Sequence, residues 1–160
     1  ISNSEIFNIV NKASNPDQMR KDITDQITKS IKSDPESKIP EGISESDFIE
    51  MQVEQVTNPW MQFFIKYNPA QALEKVKCPV LALNGEKDMQ VPSKVNLEAI
   101  NKALLKGGNK KVTSKELPNL NHLFQECKTG APQEYSEIEQ TFSPLALTEI
   151  VNWIKIQTKK

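Results

Sequence analysis

Apolar residues recur at helical spacing through the first third of the chain. Ile6, Ile9, Val10 and Ala13 share one helical face, and after Pro16 the residues Met19, Ile23, Ile27 and Ile31 recur every four positions. From Asp34-Pro35 to Gly42 two prolines and a glycine break any period, which predicts a loop. Ser44, with Asp47 three residues on, predicts the capped start of a third helix. Its expected inner face is Phe48, Met51, Val53 and Val56, flanked by Ile49. Pro59 suits the first position of a short fourth helix, Trp60 to Tyr67.

The pattern changes from Asn68. After one or two helical turns, Pro69 to Val76, comes Cys78-Pro79-Val80-Leu81-Ala82-Leu83, a continuous apolar run closed by Asn84-Gly85. Such a run reads as a strand buried on both faces, as in a parallel sheet. A helix is expected from about Ser93 to Leu105, with Val95, Ala99, Ile100, Ala103 and Leu104 inward and Gly107-Gly108 closing it. Lys111 to Leu117 alternates as an edge strand, and Ser143-Pro144 opens a last helix. That helix should turn Leu147, Ile150, Val151 and Ile154 inward, with Trp153 at the border. The order helices, strand, helix, strand, helix predicts an α/β chain whose strands pair in parallel across a crossover helix. A two-stranded parallel sheet is too small to cover its own faces and edges, which suggests that part of a sheet is absent.

Composition narrows the function classes. There are 20 basic and 21 acidic residues, for a formal net charge of −1, so nothing favours nucleic acid or an anionic membrane as partner. Arg20 is the single arginine, which argues against bidentate phosphate or carboxylate clamps. Two cysteines, Cys78 and Cys127, and one histidine argue against a disulfide framework and against the common zinc sites. No metal or organic cofactor is expected. No apolar run approaches the ~18 residues a membrane span needs. The chain opens on Ile1 with no signal sequence, so it gives no compartment.

The chemistry should sit in the loops after the two strands, because ligands in open α/β sheets gather at the strands' carboxyl ends. The first loop is Asn84-Gly85-Glu86-Lys87-Asp88-Met89-Gln90-Val91-Pro92 and the second is Pro118-Asn119-Leu120-Asn121-His122-Leu123-Phe124. One offers a carboxylate; the other holds the one side chain that titrates near neutral pH. A carboxylate orienting an imidazole is two-thirds of a hydrolytic triad, and acid before histidine is the chain order of the α/β-hydrolases. The stretch Lys77 to Asp88, followed by Val91-Pro92, resembles the penultimate strand and acid loop of bacterial α/β-hydrolases, in their esterase and serine-aminopeptidase-like branch. Asn121-His122-Leu123-Phe124 is similar to the histidine loop. Pro59-Trp60 through Tyr67-Asn68-Pro69, and Phe142-Ser143-Pro144 with Trp153-Ile154, look like that branch's flanking segments, so the likeness covers roughly residues 58–156. It implies Asp88 as the triad acid and His122 as the base, a helical lid over residues 1–66, and the C-terminal part of the hydrolase core over 67–160.

The chain departs from this family at the nucleophile. None of its five glycines flanks a serine as Gly-x-Ser-x-Gly; Gly42-Ile43-Ser44-Glu45-Ser46 comes nearest, and there Ser44 reads as a helix cap. The expectation is therefore a fragment that begins inside the lid. Glu86 is the competing carboxylate and reads as a solvated turn residue, and Cys127 reads as structural or idle. Trp60, Phe63 and Phe64 either line an acyl pocket or form a helix packing face. Two functions follow. One is a hydrolase part, supplying the acid and histidine for attack on a small carboxylic ester, thioester or amide. The other is a non-catalytic binding or structural module derived from a hydrolase's C-terminal half. The missing half of the sheet also predicts a homodimer through the exposed strand edge.

Overall fold

A computed structural model of the 160-residue chain describes residues 3–33 and 39–159. Residues 34–38, which make up most of the loop expected from Asp34 to Gly42, lie outside the described residues. The chain divides into two compact units, Ile1–Tyr67 and Asn68–Lys160.

The first unit is all helical: α1 (Asn3–Lys12), α2 (Pro16–Ser33), α3 (Glu45–Thr57) and α4 (Pro59–Lys66). The four-residue recurrence in α2 buries Met19, Ile23 and Ile27 against Ile6 and Val10 of α1 and Val53 of α3. Ile9, Ala13, Ile31, Ile49, Val56 and Ile65 pack around this core. The inner face of α3 is thus Ile49, Val53 and Val56, at helical spacing. Met51, expected inside, is 52% exposed. Ser44 caps α3 by accepting the Asp47 amide at 3.1 Å and donating its hydroxyl to the Asp47 carboxylate. Asn58 caps α4, accepting from the Met61 amide at 2.8 Å with Pro59 at the first helical position.

The second unit runs α5 (Ala70–Leu73), β1 (Val80–Gly85), α6 (Ser93–Lys106), β2 (Val112–Leu117), a 3-10 turn (Pro132–Glu137) and α7 (Pro144–Thr158). The strands pair in parallel, Val80 opposite Val112 through Gly85 opposite Leu117, with α6 as the crossover. Val80 donates to the Lys111 carbonyl at 2.9 Å and Glu86 to that of Leu117 at 2.8 Å, so alternate residues of β1 turn their amides toward β2. Leu81 and Leu83 face the other edge, which has no backbone partner among the described residues.

Several sequence expectations change in this unit. The strand is shifted to Val80–Gly85 and buried on one face only. Ala82 and Asn84 are covered, whereas Val80, Leu81 and Leu83 are half-buried, because a two-stranded sheet offers one helix per face. Cys78 is exposed. Helix α6 docks through Ser93, Leu97, Ala103 and Leu104, leaving Val95 and Ala99 outside. Helix α7 docks through Ala146, with Ile150 and Trp153 half-buried. Leu147, Val151 and Ile154, expected inside, are about half exposed. A cavity of about 370 Å³ lies among Leu81, Leu83, Phe124, Phe142, Ile150 and Trp153. The 3-10 turn has no counterpart in the sequence reading. No helix among the described residues is long and apolar enough to cross a membrane.

Ile27 is wholly buried in the first unit. Ile27→Ala should cost ~2–5 kcal/mol of that unit's stability. Met51→Ala should stay within about 0.5 kcal/mol. Urea unfolding followed by circular dichroism distinguishes them. Equal effects from both would contradict the α3 packing described above.

Candidate active site

The two loops predicted to carry the chemistry meet at the carboxyl end of the sheet, and Gly85 decides how closely. A Cβ at this position would stand 2.3 Å from the Leu120 carbonyl oxygen and 2.6 Å from that of Asn121. Only glycine lets the acid loop lie this tightly against the histidine loop. The contact is then stitched by hydrogen bonds. The Lys87 amide donates to the Leu120 carbonyl at 3.0 Å, and the Asn119 amide donates to the Glu86 carboxylate at 2.9 Å. The Lys87 ammonium donates to the Cys127 and Lys128 carbonyls at 3.2 and 3.0 Å. Glu86 is exposed, as a solvated turn residue should be, but it also ties the two loops together.

Asp88 and His122 come together here. His122 Nδ1 lies 2.9 Å from Asp88 Oδ2. The Asp88 side chain is 5% exposed and that of His122 is 37% exposed, so the carboxylate is covered while the imidazole reaches solvent. Asp88 accepts four hydrogen bonds. Oδ1 takes the backbone amides of Gln90 at 2.9 Å and Val91 at 2.8 Å; Oδ2 takes Asn84 Nδ2 at 3.0 Å and the His122 ring. Burial by itself pushes this carboxyl group up. The Val91 amide, the His122 ring and the Gln90 amide outweigh burial and hold it below its ordinary value. An ionised carboxylate can only accept, so His122 donates from Nδ1, and its Nε2 carries the free lone pair when the ring is neutral.

The histidine is aimed by its own loop. Asn121 is wholly buried, and its Oδ1 accepts from the Leu123 amide at 2.9 Å and the Gln125 amide at 3.0 Å. Its Nδ2 donates to Gln125 Oε1 at 3.0 Å. Phe124 closes the turn with φ of +57°, a conformation costing a side-chain-bearing residue about 1–2 kcal/mol. The strain is held by the Ser143 amide, which donates to the Phe124 carbonyl at 2.8 Å where α7 begins, and by Phe124 packing on Phe142 at 5.4 Å between ring centroids.

Trp60, Phe63 and Phe64 belong to α4 in the other unit. They are 65%, 64% and 57% exposed, so they are not that helix's packing face; Ile65 packs against the core instead. Trp60 stacks on Phe64 at 5.5 Å. The Cys127 thiol is pushed up by burial and by Glu134, which disfavours its nucleophilic thiolate. Ser44, Ser93 and Ser143 are engaged elsewhere, Ser93 with Glu116 and Ser143 with the Leu145 amide and Glu126. Among the described residues no group of three or more His, Cys, Asp or Glu side chains could hold a metal ion. Asn84, Gly85 and Asn121 are the site residues whose roles the sequence reading missed. The Asn84-Gly85 pair was legible as the end of the strand and the start of the acid loop, and Asn121 as the neighbour of His122 in the histidine loop. No family model, no curated protein and no solved structure matches this chain.

The lowered pKa of Asp88 makes stability depend on pH. A carboxyl group depressed in the folded state stabilises the fold above its unfolded value, near the ordinary 3.8, and loses that contribution as pH falls through the folded value. The stability gap between the parent chain and Asp88→Asn should shrink as pH falls below about 4. Urea midpoints at stepped pH measure it. A gap that does not shrink below about pH 4 would show that Asp88 is not a stabilised anion.

Proposed function

We propose that this chain supplies the acid and the base of a Ser-Asp-His hydrolytic triad, as the C-terminal part of an α/β-hydrolase with its lid helices. The reading rests on one observation, the buried Asp88 carboxylate bonded at 2.9 Å to a solvent-reaching imidazole. A buried anion on Nδ1 fixes the tautomer that leaves Nε2 free to accept a proton, and it stabilises the cation formed on acceptance. Both residues extend from the carboxyl ends of adjacent parallel strands, where α/β folds place their chemistry. The nucleophile lies outside these 160 residues, because no Gly-x-Ser-x-Gly is present in the sequence.

In that reaction a serine would attack the carbonyl of a small carboxylic ester, with thioesters and amides as the related substrates. His122 would take the serine proton at Nε2 and return it to the leaving group. Within the helical unit, Trp60, Phe63 and Phe64 of α4 leave their rings exposed as apolar surface.

The 160-residue chain should therefore show no ester hydrolysis above background. A longer product of the same gene that includes a serine elbow should turn over short-chain p-nitrophenyl esters. In that product Asp88→Asn should lower kcat by about 10⁴, because a neutral amide favours the wrong imidazole tautomer. His122→Ala should cost at least as much. Turnover by the 160-residue chain that a serine-directed phosphonate abolishes would place the nucleophile inside it. Undiminished activity in His122→Ala would remove the hydrolase reading.

The open edge of β1 extends the proposal to association. Leu81 and Leu83 turn their backbone groups to an edge with no partner among the described residues, and such edges recruit a second strand. Light scattering over a dilution series should show a dimer, and Leu81→Pro, which deletes an outward amide without touching the β2 ladder, should weaken it. A monomer at every concentration would rule this pairing out.

A further inference from the structure

Asn84 was legible in the sequence as the residue that ends a strand and starts the acid loop, yet its side chain reaches the centre of the dyad. It is 8% exposed, and its Nδ2 donates both to Asp88 Oδ2 at 3.0 Å and to the Val91 carbonyl at 3.0 Å. The oxygen it bonds is the one that faces His122, whereas the two backbone amides of the acid loop both go to the other oxygen, Oδ1. A carboxylate has about four acceptor positions, so Asp88 is filled, and among the described residues Asn84 is the one side chain besides His122 that bonds it.

The geometry points to Asn84 as a positioning residue that sets the basicity of His122. By drawing on Oδ2, the Asn84 amide reduces the negative charge presented to the ring, and the partial positive charge of its N–H groups further disfavours the imidazolium. A general base has to be unprotonated at its working pH, so a ring held too tightly by an undivided carboxylate would already carry the proton it is meant to accept. The second bond, to the Val91 carbonyl, anchors the amide to the same turn whose Val91 N–H fixes Oδ1, so the carboxylate plane and the asparagine move together. This inference rests on the triad reading for its purpose, while its test reads only the imidazole.

His122 is the only histidine in the chain, so its ring carbon gives a single NMR resonance and a direct titration. Removing the amide in Asn84→Leu leaves Oδ2 to the ring alone, and the His122 midpoint should rise by about one pH unit, the scale of one hydrogen bond to a charged group. Asn84→Val, a strand-compatible side chain, should shift it the same way. Asp88→Asn, which removes the charge altogether, should lower it. A purely structural role for Asn84 predicts the opposite sign for the first two variants, since a loosened dyad behaves like Asp88→Asn. The parent chain provides a test free of folding defects: the Asn84 side-chain amide protons should titrate with the His122 midpoint. A fall or no change in Asn84→Leu, or a flat amide trace in the parent chain, overturns the assignment. If Asp88→Asn lowers the midpoint while those results are obtained, only the role of Asn84 fails. If Asp88→Asn leaves the midpoint unmoved, the dyad reading fails with it.

Discussion

The approach of the acid loop to the histidine loop across Gly85 is the constraint on which the rest of the site depends. Any side chain at this position would overlap the carbonyls of Leu120 and Asn121, pushing the two loops apart. The bond between Asp88 and His122 spans 34 residues of sequence, and it forms because parallel pairing brings Gly85 opposite Leu117 at the ends of their strands. Glu86 and Lys87 then fasten the loops from either side of the chain, so the dyad is carried by backbone geometry and by hydrogen bonds that do not involve the dyad itself. Gly130 plays a similar part farther along. Its φ of +83°, and a Cβ position only 1.9 Å from the Lys87 carbonyl oxygen, let the return segment lie flat on the acid loop.

Electrostatics follow from that placement. Burial would raise the pKa of an isolated carboxyl group, but here two backbone amides and the ring reverse the sign. The result is a carboxylate favoured in its charged form beneath a ring that still reaches water. Glu134 shows the same physics without an imidazole. Its carboxylate accepts from the amides of Lys128, Thr129 and Gly130, and it is lowered to about 2 although it is only half-buried. Its effect is to hold the segment after the histidine loop rather than to prepare a reacting group.

The second unit has more apolar surface than its two strands can cover. Leu145, Leu147, Val151, Ile154 and Ile156 of α7 are all 40–66% exposed, and the face of β1 bearing Leu81 and Leu83 opens onto a cavity of about 370 Å³. One helix on each face of a narrow sheet buries a stripe, not a full side. The same limitation explains why β1 is covered on the Ala82–Asn84 side and only half-covered on the other.

The sequence by itself determined the elements and their order. Helical recurrence marked α1 and α2 with their buried residues, Ser44 and Pro59 marked two helix starts, and the apolar run before Asn84-Gly85 marked the first strand of a parallel pair. These are local signals, set by backbone periodicity and capping, and they survive without knowledge of neighbours. The sequence also placed Asp88 and His122 in the two loops that follow the strands. What faces inward on α3, α6 and α7 was decided by tertiary structure, because the apolar residues of these helices fit more than one face and the docking partner selects one. Met51, Val95 and Leu147 fell outside for that reason. Tertiary structure alone also decided the work of Asn84, Gly85 and Asn121. Their roles are contacts or close approaches formed when distant or folded-back segments meet, and single-residue chemistry carries no record of the atom that will stand opposite.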